Sequence, residues 1–216
     1  MRTVGGLRRR MRRRRAEGPL AELYDTPVER NRWLAVDVET TGLDPAKDRL
    51  LSIGWVPVDG ADIIFGGAGY VVLRQDGDGG TPAPSVGESA TLHGLTDDAV
   101  AAGEDPREAV AELLRALRGR RLLAHHVGVE SAFLDVACRR WFGAPFDYPV
   151  ADTMAREYHR IGMEGRDPTR DELRLWTVRA RYGLPRTRAH HALNDALACA
   201  ELWLAQDSRR IPRSYG

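Results

Sequence analysis

The sequence predicts an α/β fold in which a β-sheet is covered by helices. Two patterns carry the prediction. Residues 33–39, 50–58 and 63–73 are apolar runs of strand length joined by short polar turns, which argues for antiparallel neighbours. Further on, an amphipathic helix at 106–117, a short apolar strand at 122–125 and a second amphipathic helix at 129–142 follow one another, the order expected of a sheet with helices laid on it. With 216 residues and 43% hydrophobic content, the chain reads as one domain with a real core.

Taken in order, residues 1–18 form a basic tail too poor in apolar side chains to fold, and 19–32 a lead-in helix on which Leu20, Leu23 and Tyr24 can pack. Strand one, 33–39, ends in the turn sequence Thr40-Thr41-Gly42-Leu43-Asp44-Pro45. Asp59-Gly60 is a hairpin turn between the second and third strands. Residues 75–89, rich in Gly, Pro and Asp, are a loop, and Thr96 is a natural N-cap for a short helix. In 106–117, Ala109, Val110, Leu113, Leu114 and Leu117 recur at helical spacing until Gly119. In 129–142 the apolar stripe is Phe133, Leu134, Ala137, Cys138 and Trp141. One turn back along that stripe stands Glu130, an acid on the core side, whereas Asp135 falls on the solvent side. Val150-Ala151-Asp152-Thr153 reads as another strand end leading into a helix. Residues 160–169 are a polar loop, 173–182 a helix stopped by Gly183-Leu184-Pro185, 191–205 the last helix, and 209–216 a C-terminal tail.

Formal net charge is only +1, but it is unevenly spread. Arg2, Arg8, Arg9, Arg10, Arg12, Arg13, Arg14 and Arg15 stand in the first fifteen residues with no acid among them. Taking these eight from the 32 basic residues leaves 24 against 31 acids, a net of −7 for the body. The body is therefore not a generally basic nucleic-acid binder; the tail is either a solvated arm or a phosphate-contacting one. Cys138 and Cys199 lack CxxC spacing, which argues against a zinc site and against a disulfide framework. No apolar run approaches membrane-spanning length and none follows the N-terminal arginines, so a cytoplasmic protein without anchor or secretory signal is expected.

One stretch is out of place in this frame. The buried-strand pattern of 33–39 carries Asp37 and Glu39. Side chains two apart on a strand share a face, so the two carboxylates stand side by side. Burying such a pair asks for a cation. Glu130 and Asp195, the latter in the first turns of the last helix, are further acids at helix starts, and His190 lies in the loop just before Asp195. A carboxylate-only set suits Mg²⁺ or Mn²⁺ and suits zinc poorly. Two such ions clamp the attacking and leaving oxygens of a phosphodiester, and a histidine of ordinary pKa, ~6.5, can take a proton from water near neutrality. Phosphodiester hydrolysis is the reaction these parts assemble into best.

Asp37-Val38-Glu39-Thr40-Thr41-Gly42 resembles the first motif of the DnaQ-like (DEDDh) 3′–5′ exonucleases, a family that includes the proofreading subunit of bacterial DNA polymerase III. His93-Gly94-Leu95-Thr96 resembles that family's His-Gly-Ile-Thr segment. Leu123-Ala124-His125 through Phe133-Leu134 resembles its second motif, and Asp152-Thr153 its recurrent Asp-Thr pair. His190-His191-Ala192-Leu193-Asn194-Asp195-Ala196 resembles the third motif, with His190 five residues before Asp195. The likeness runs from Trp33 to Leu204 and makes 33–208 the exonuclease domain. It implies a ribonuclease-H-like mixed β-sheet flanked by helices. It also implies two Mg²⁺ or Mn²⁺ ions held by Asp37, Glu39, Glu130 and Asp195, with His190 as general base and Thr40, Thr41, Gly42 and His93 against the terminal nucleotide. The implied activity is release of nucleoside 5′-monophosphates from the 3′ end of single-stranded DNA or RNA, with DNA proofreading or repair as the first expectation and a DNA polymerase as a partner. An RNA-trimming exoribonuclease of the same group and a nucleic-acid-binding module with weakened catalysis stay open as alternatives. The second motif departs from the family: Glu130, His126 and Val129 stand where Asp, Asn and an aromatic residue are usual.

Overall fold

The strand with the misplaced acids lies at the centre of the sheet. The computed structural model describes residues 13, 15–75, 94–186 and 190–208. Strand β1 (Arg32–Thr40) pairs antiparallel with β2 (Leu50–Asp59) along nearly all its length. On its other side β1 pairs in parallel with β5 (Arg121–Ala124), and β5 pairs in parallel with β6 (Val150–Asp152). The free edge of β2 takes β3 (Asp62–Ile63) at one end and β4 (Gly69–Val72) at the other. The sheet is thus mixed, with the antiparallel half where the short turns placed it. The single third strand expected at 63–73 is instead β3 and β4, separated by a 3₁₀ turn at Phe65–Gly67. Gly66, Gly67 and Gly69 supply no side chain to a pleated surface, and glycine weakens a strand interior.

The helices are α1 (Gly18–Asp25), α2 (Asp97–Ala101), α3 (Pro106–Leu117), α4 (Gly128–Phe142), α5 (Thr153–Gly162), α6 (Leu175–Arg181) and α7 (Ala192–Ser208). Their ends follow local chemistry. Thr96 caps α2 by accepting from the Ala99 N–H at 3.2 Å, and Asp105 caps α3 through the N–H groups of Arg107 and Glu108, with Pro106 in the first position. α4 stops at Gly143, whose φ of 71° is left-handed.

The alternation of β1 decides which layer each residue meets. Leu34 and Val36 join the larger core with Leu20 and Leu23 of α1, Leu113 and Leu117 of α3, and Leu134 of α4. Ala35, on the opposite face, packs with Leu123 and with Cys199 and Ala200 of α7. By the same period of two, Asp37 and Glu39 face α7. Each fully buried leucine contributes roughly 1.5–3 kcal/mol, so the layer that fixes β1 is held by many such terms and not by the acids.

Arg13, assigned above to the basic tail, lies on the folded body. Its guanidinium sits 4.5 Å from the Tyr24 ring centroid and donates to the Asp147 carbonyl at 2.7 Å, and the Glu17 N–H donates to the Phe142 carbonyl at 3.0 Å. The 209–216 tail, residues 1–12 and most of the loop read at 75–89 lie outside the described residues. No helix among the described residues is long and apolar enough to cross a membrane.

Candidate active site

Asp37 and Glu39 stand opposite Gly54 and Ser52 of β2. Gly54 is what lets α7 in. A Cβ there would fall 2.2 Å from the Leu193 nitrogen and 2.3 Å from the Ala192 carbonyl carbon. With no side chain in the way, the first turn of α7 lies directly on the ladder and Asp195 comes with it. Carboxylate oxygens of Asp37, Glu39 and Asp195 all lie within 4.8 Å of one another. The β1–β2 register slips between Glu39 and Thr40, so the ladder is interrupted immediately after the second acid.

Glu130 occupies the first turn of α4 and is 4% exposed, on the core side as its place in the apolar stripe requires. It stands outside the three-acid group, yet its charge is the largest neighbouring contribution raising Asp37. All four acids are hard to ionise as they stand. Burial is the first cause in each case. It holds Asp37 well above the usual carboxylate range, and the charges of Glu130, Asp195 and Glu39 add to it. Glu39 is pushed up to about 7 by burial and by Asp195, and Glu130 to about 8 by burial and by Asp152. Asp195 is raised by burial, against the hydrogen bond it receives from His190. Glu39 Oε1, Asp195 Oδ1 and Glu130 Oε2 are buried without any hydrogen-bond partner. Unpartnered buried carboxylate oxygens are costly, and the grouped carboxylates of Asp37, Glu39 and Asp195 form an all-oxygen donor set of the kind Mg²⁺ and Mn²⁺ take. The residues present therefore fit a divalent metal centre.

His190 is exposed and its φ is 62°, uncommon for a side chain with a β-carbon. That backbone turn aims its N–H at Asp195 Oδ2, 2.9 Å away. The next residue, His191, stacks on Tyr70 of β4 with ring centroids 4.4 Å apart, and Tyr70 is paired with Gly54 in the sheet. His125 serves structure: its ring nitrogens engage Thr153 Oγ1 at 2.8 Å and the Leu173 carbonyl at 2.7 Å.

Thr40, Thr41 and Gly42 follow Glu39 directly, but both hydroxyls are spent inside the turn. Thr40 Oγ1 donates to the Gly42 carbonyl at 2.6 Å, and Thr41 Oγ1 donates to Asp48 at 3.1 Å while accepting from the Arg49 N–H at 2.9 Å. A Cβ on Gly42 would fall 2.4 Å from the Asp48 carboxylate and would displace the group that Thr41 bonds. His93 lies outside the described residues.

Gly54, Asp48, Tyr70 and Arg179 shape the site without having been singled out in the sequence. Gly54 had a signal, a glycine inside an apolar strand, which points to a close backbone approach. Arg179 is buried, donates to the Ala198 carbonyl at 2.7 Å and the Pro185 carbonyl at 3.0 Å, and pairs with Glu201 at 2.8 Å. It ties Pro185, just past α6, to α7. Nothing in the periodicity of a seven-residue helix marks it.

Comparison with known proteins points one way. The RNase T family model, described as "Exonuclease", matches residues 34–203. The DNA polymerase III subunit epsilon of Treponema pallidum is 31% identical over 79% of this chain and 74% of its own. A DNA polymerase III subunit epsilon-like protein of Rhodobacter capsulatus is 30% identical over 87% of this chain and 25% of its own. A PolC-type DNA polymerase III of Thermotoga petrophila is 26% identical over 84% of this chain, which spans only 12% of that relative's length. Among solved structures, a zinc-bound complex of Escherichia coli exonuclease I with single-stranded DNA superposes with a TM-score of 0.68 at 20% identity, covering 84% of this chain and 41% of that one. That likeness is one of fold, and it bears out the ribonuclease-H-like sheet flanked by helices.

Proposed function

The chain belongs to the RNase T family of DnaQ-like exonucleases, and from that premise we propose that it is a metal-dependent 3′–5′ exonuclease acting on single-stranded DNA to release nucleoside 5′-monophosphates. The observation that carries the reading is the convergence of Asp37, Glu39 and Asp195 oxygens within 4.8 Å, beside buried Glu130. Asp37, Glu39 and Asp195 would hold one Mg²⁺ or Mn²⁺, and Glu130 would serve a second. Bound there, the ions supply neutralisation of phosphate charge and a lowered pKa for water. The chain's own residues do the rest. The exposed His190 ring accepts the proton from the attacking water. The turn of Thr40, Thr41 and Gly42 seats the terminal nucleotide next to Glu39, and His93 joins it by its motif. DNA is favoured over RNA because the relatives matched carry DNA polymerase III names, which also makes a DNA polymerase the proposed protein partner.

The test is release of labelled mononucleotide from 3′-labelled and 5′-labelled single-stranded DNA and RNA, with Mg²⁺, with Mn²⁺ and with EDTA, and with Asp195→Ala as control. Early release of the 3′ label, abolished by EDTA and by the control, is the expected result. Faster release from RNA turns the assignment to the exoribonuclease reading. Retained binding with no release from either polymer turns it to a binding module.

A further inference from the structure

We propose that Asp152 is a positioning residue for Glu130, fixing from a neighbouring strand the turn that aims Glu130 at β1. The proposal rests on the reading of Glu130 as a metal-binding group given above. β5 ends at Ala124 and α4 begins at Gly128, and in between His126 takes a φ of 78°. A β-carbon disfavours that conformation, so the turn needs to be held. Val127, in the N-cap position of α4, offers no side-chain acceptor to the first N–H groups of the helix. β6 instead anchors the two residues just ahead of the helix. Asp152 Oδ1 receives the His126 N–H at 3.1 Å and Asp152 Oδ2 the Val127 N–H at 3.1 Å. Asp152 is placed for this by the sheet, since it pairs with Ala124 in the parallel β5–β6 ladder.

The same carboxylate caps α5, receiving the N–H of Met154 at 2.8 Å and of Ala155 at 3.1 Å. Four N–H donors nearly fill the acceptor capacity of one carboxylate. Asp152 is therefore committed to backbone, and it stands outside the group of acids able to share a cation. Glu130 follows Val127 by three residues, is 4% exposed and has an unpartnered Oε2. If the start of α4 were released, nothing in this turn would keep the Glu130 carboxylate near enough for its charge to act on Asp37. The substitution of Glu for the family's Asp makes the placement more exacting, because the longer side chain moves its oxygens further for the same shift of the backbone.

A cap for α5 and an anchor for α4 are separable by mutation. Serine is as good an N-cap as aspartate, but its single oxygen on a shorter arm cannot also reach Val127. Asp152→Ser is expected to melt within a few degrees of wild type without metal. Its weaker Mn²⁺ site, read from the free-ion electron paramagnetic resonance signal, is expected to lose affinity about tenfold or more, the usual effect of removing a partner behind a ligand. Asp152→Asn, which sets an amide donor against the Val127 N–H, is expected to do the same. His126→Gly in the Asp152→Ser background is expected to recover part of the affinity, since glycine takes that φ without an anchor; a role confined to capping α5 gives no such recovery. Unchanged Mn²⁺ affinity in both Asp152 variants overturns the proposal. Glu130→Ala, measured alongside, separates the two readings. Undiminished Mn²⁺ binding in that variant sinks the role of Glu130 itself. Loss there but not at Asp152 sinks only the positioning.

Discussion

In metal-free protein, replacing Glu130 by glutamine is expected to stabilise the fold in alkali and to leave it almost unchanged in acid. Glu130 is raised from an ordinary 4.5 to about 8, chiefly by burial. A carboxyl that holds its proton more tightly when folded favours the folded state while it stays protonated. That stability is whole below pH 4.5 and is lost as pH rises through about 8. Integrated over this window, ionisation of Glu130 in the unfolded chain, which the folded state resists, costs the fold about 2 kcal/mol by pH 6 and about 4 kcal/mol by pH 8. For a chain of this size 1 kcal/mol moves the melting temperature by about 2–4 °C, so the variant gains on the order of 10 °C over wild type at pH 8. Glutamine carries its own cost of burying an amide, but that cost does not change with pH, so the slope of the difference is the measurement. Thermal melts of both proteins in EDTA from pH 5 to pH 8.5, followed by circular dichroism, supply it. Melting temperatures that run parallel across the range refute the reasoning, because they mean Glu130 is solvated or already compensated. Mn²⁺ is then expected to reverse the order, raising wild type more than Glu130→Gln, and more at pH 8 than at pH 5, where the acids bind protons in its place.

Gly54→Ala places a Cβ 2.2 Å from backbone of α7 and is expected to cost about 2 kcal/mol or more in urea titration while abolishing nuclease activity, since the same shift withdraws Asp195. A variant with wild-type stability and activity contradicts the close-approach account. Asp195→Ala removes the charge that, after burial, raises Glu39 to about 7, so Glu39 is expected to titrate lower in a carbon-detected NMR titration; an unmoved Glu39 means burial alone sets it. Arg179→Met removes a buried guanidinium from two backbone carbonyls and from the partly exposed Glu201 and is expected to destabilise by roughly 1–3 kcal/mol in urea, with Glu201→Gln in the same background recovering part of the loss. No recovery means the two backbone carbonyls, and not Glu201, are what Arg179 serves.

Residues 33–39 show how much of the fold was legible. Apolar content and length made that stretch a buried strand, and the period of two put Asp37 and Glu39 on one face without reference to any partner. Glu130 was legible for a similar reason, because an acid continuing an apolar stripe at a spacing of three and four has to face the core. Helix α3 runs over the expected 106–117 because Asp105 and Pro106 start it and its apolar side chains keep one period throughout. The 63–73 segment was misread where period gave way to glycine: apolar residues persisted, but Gly66 and Gly67 turned the chain and split one expected strand into β3 and β4.

Local periodicity and side-chain chemistry in the sequence by themselves determined the order of strands and helices, the facing of Asp37, Glu39 and Glu130, and the motif spacing of His190 and Asp195. Both kinds of signal act over a few residues and survive reading along the chain. Only the tertiary structure decided that Asp195 joins the strand pair, that Gly54 opens the space for it, that Arg179 ties Pro185 to α7, and that Asp152 holds the turn before Glu130 from the adjacent strand. Each of these joins residues distant in sequence, and a distance between such residues is set by how helices seat on the sheet. No local pattern encodes it.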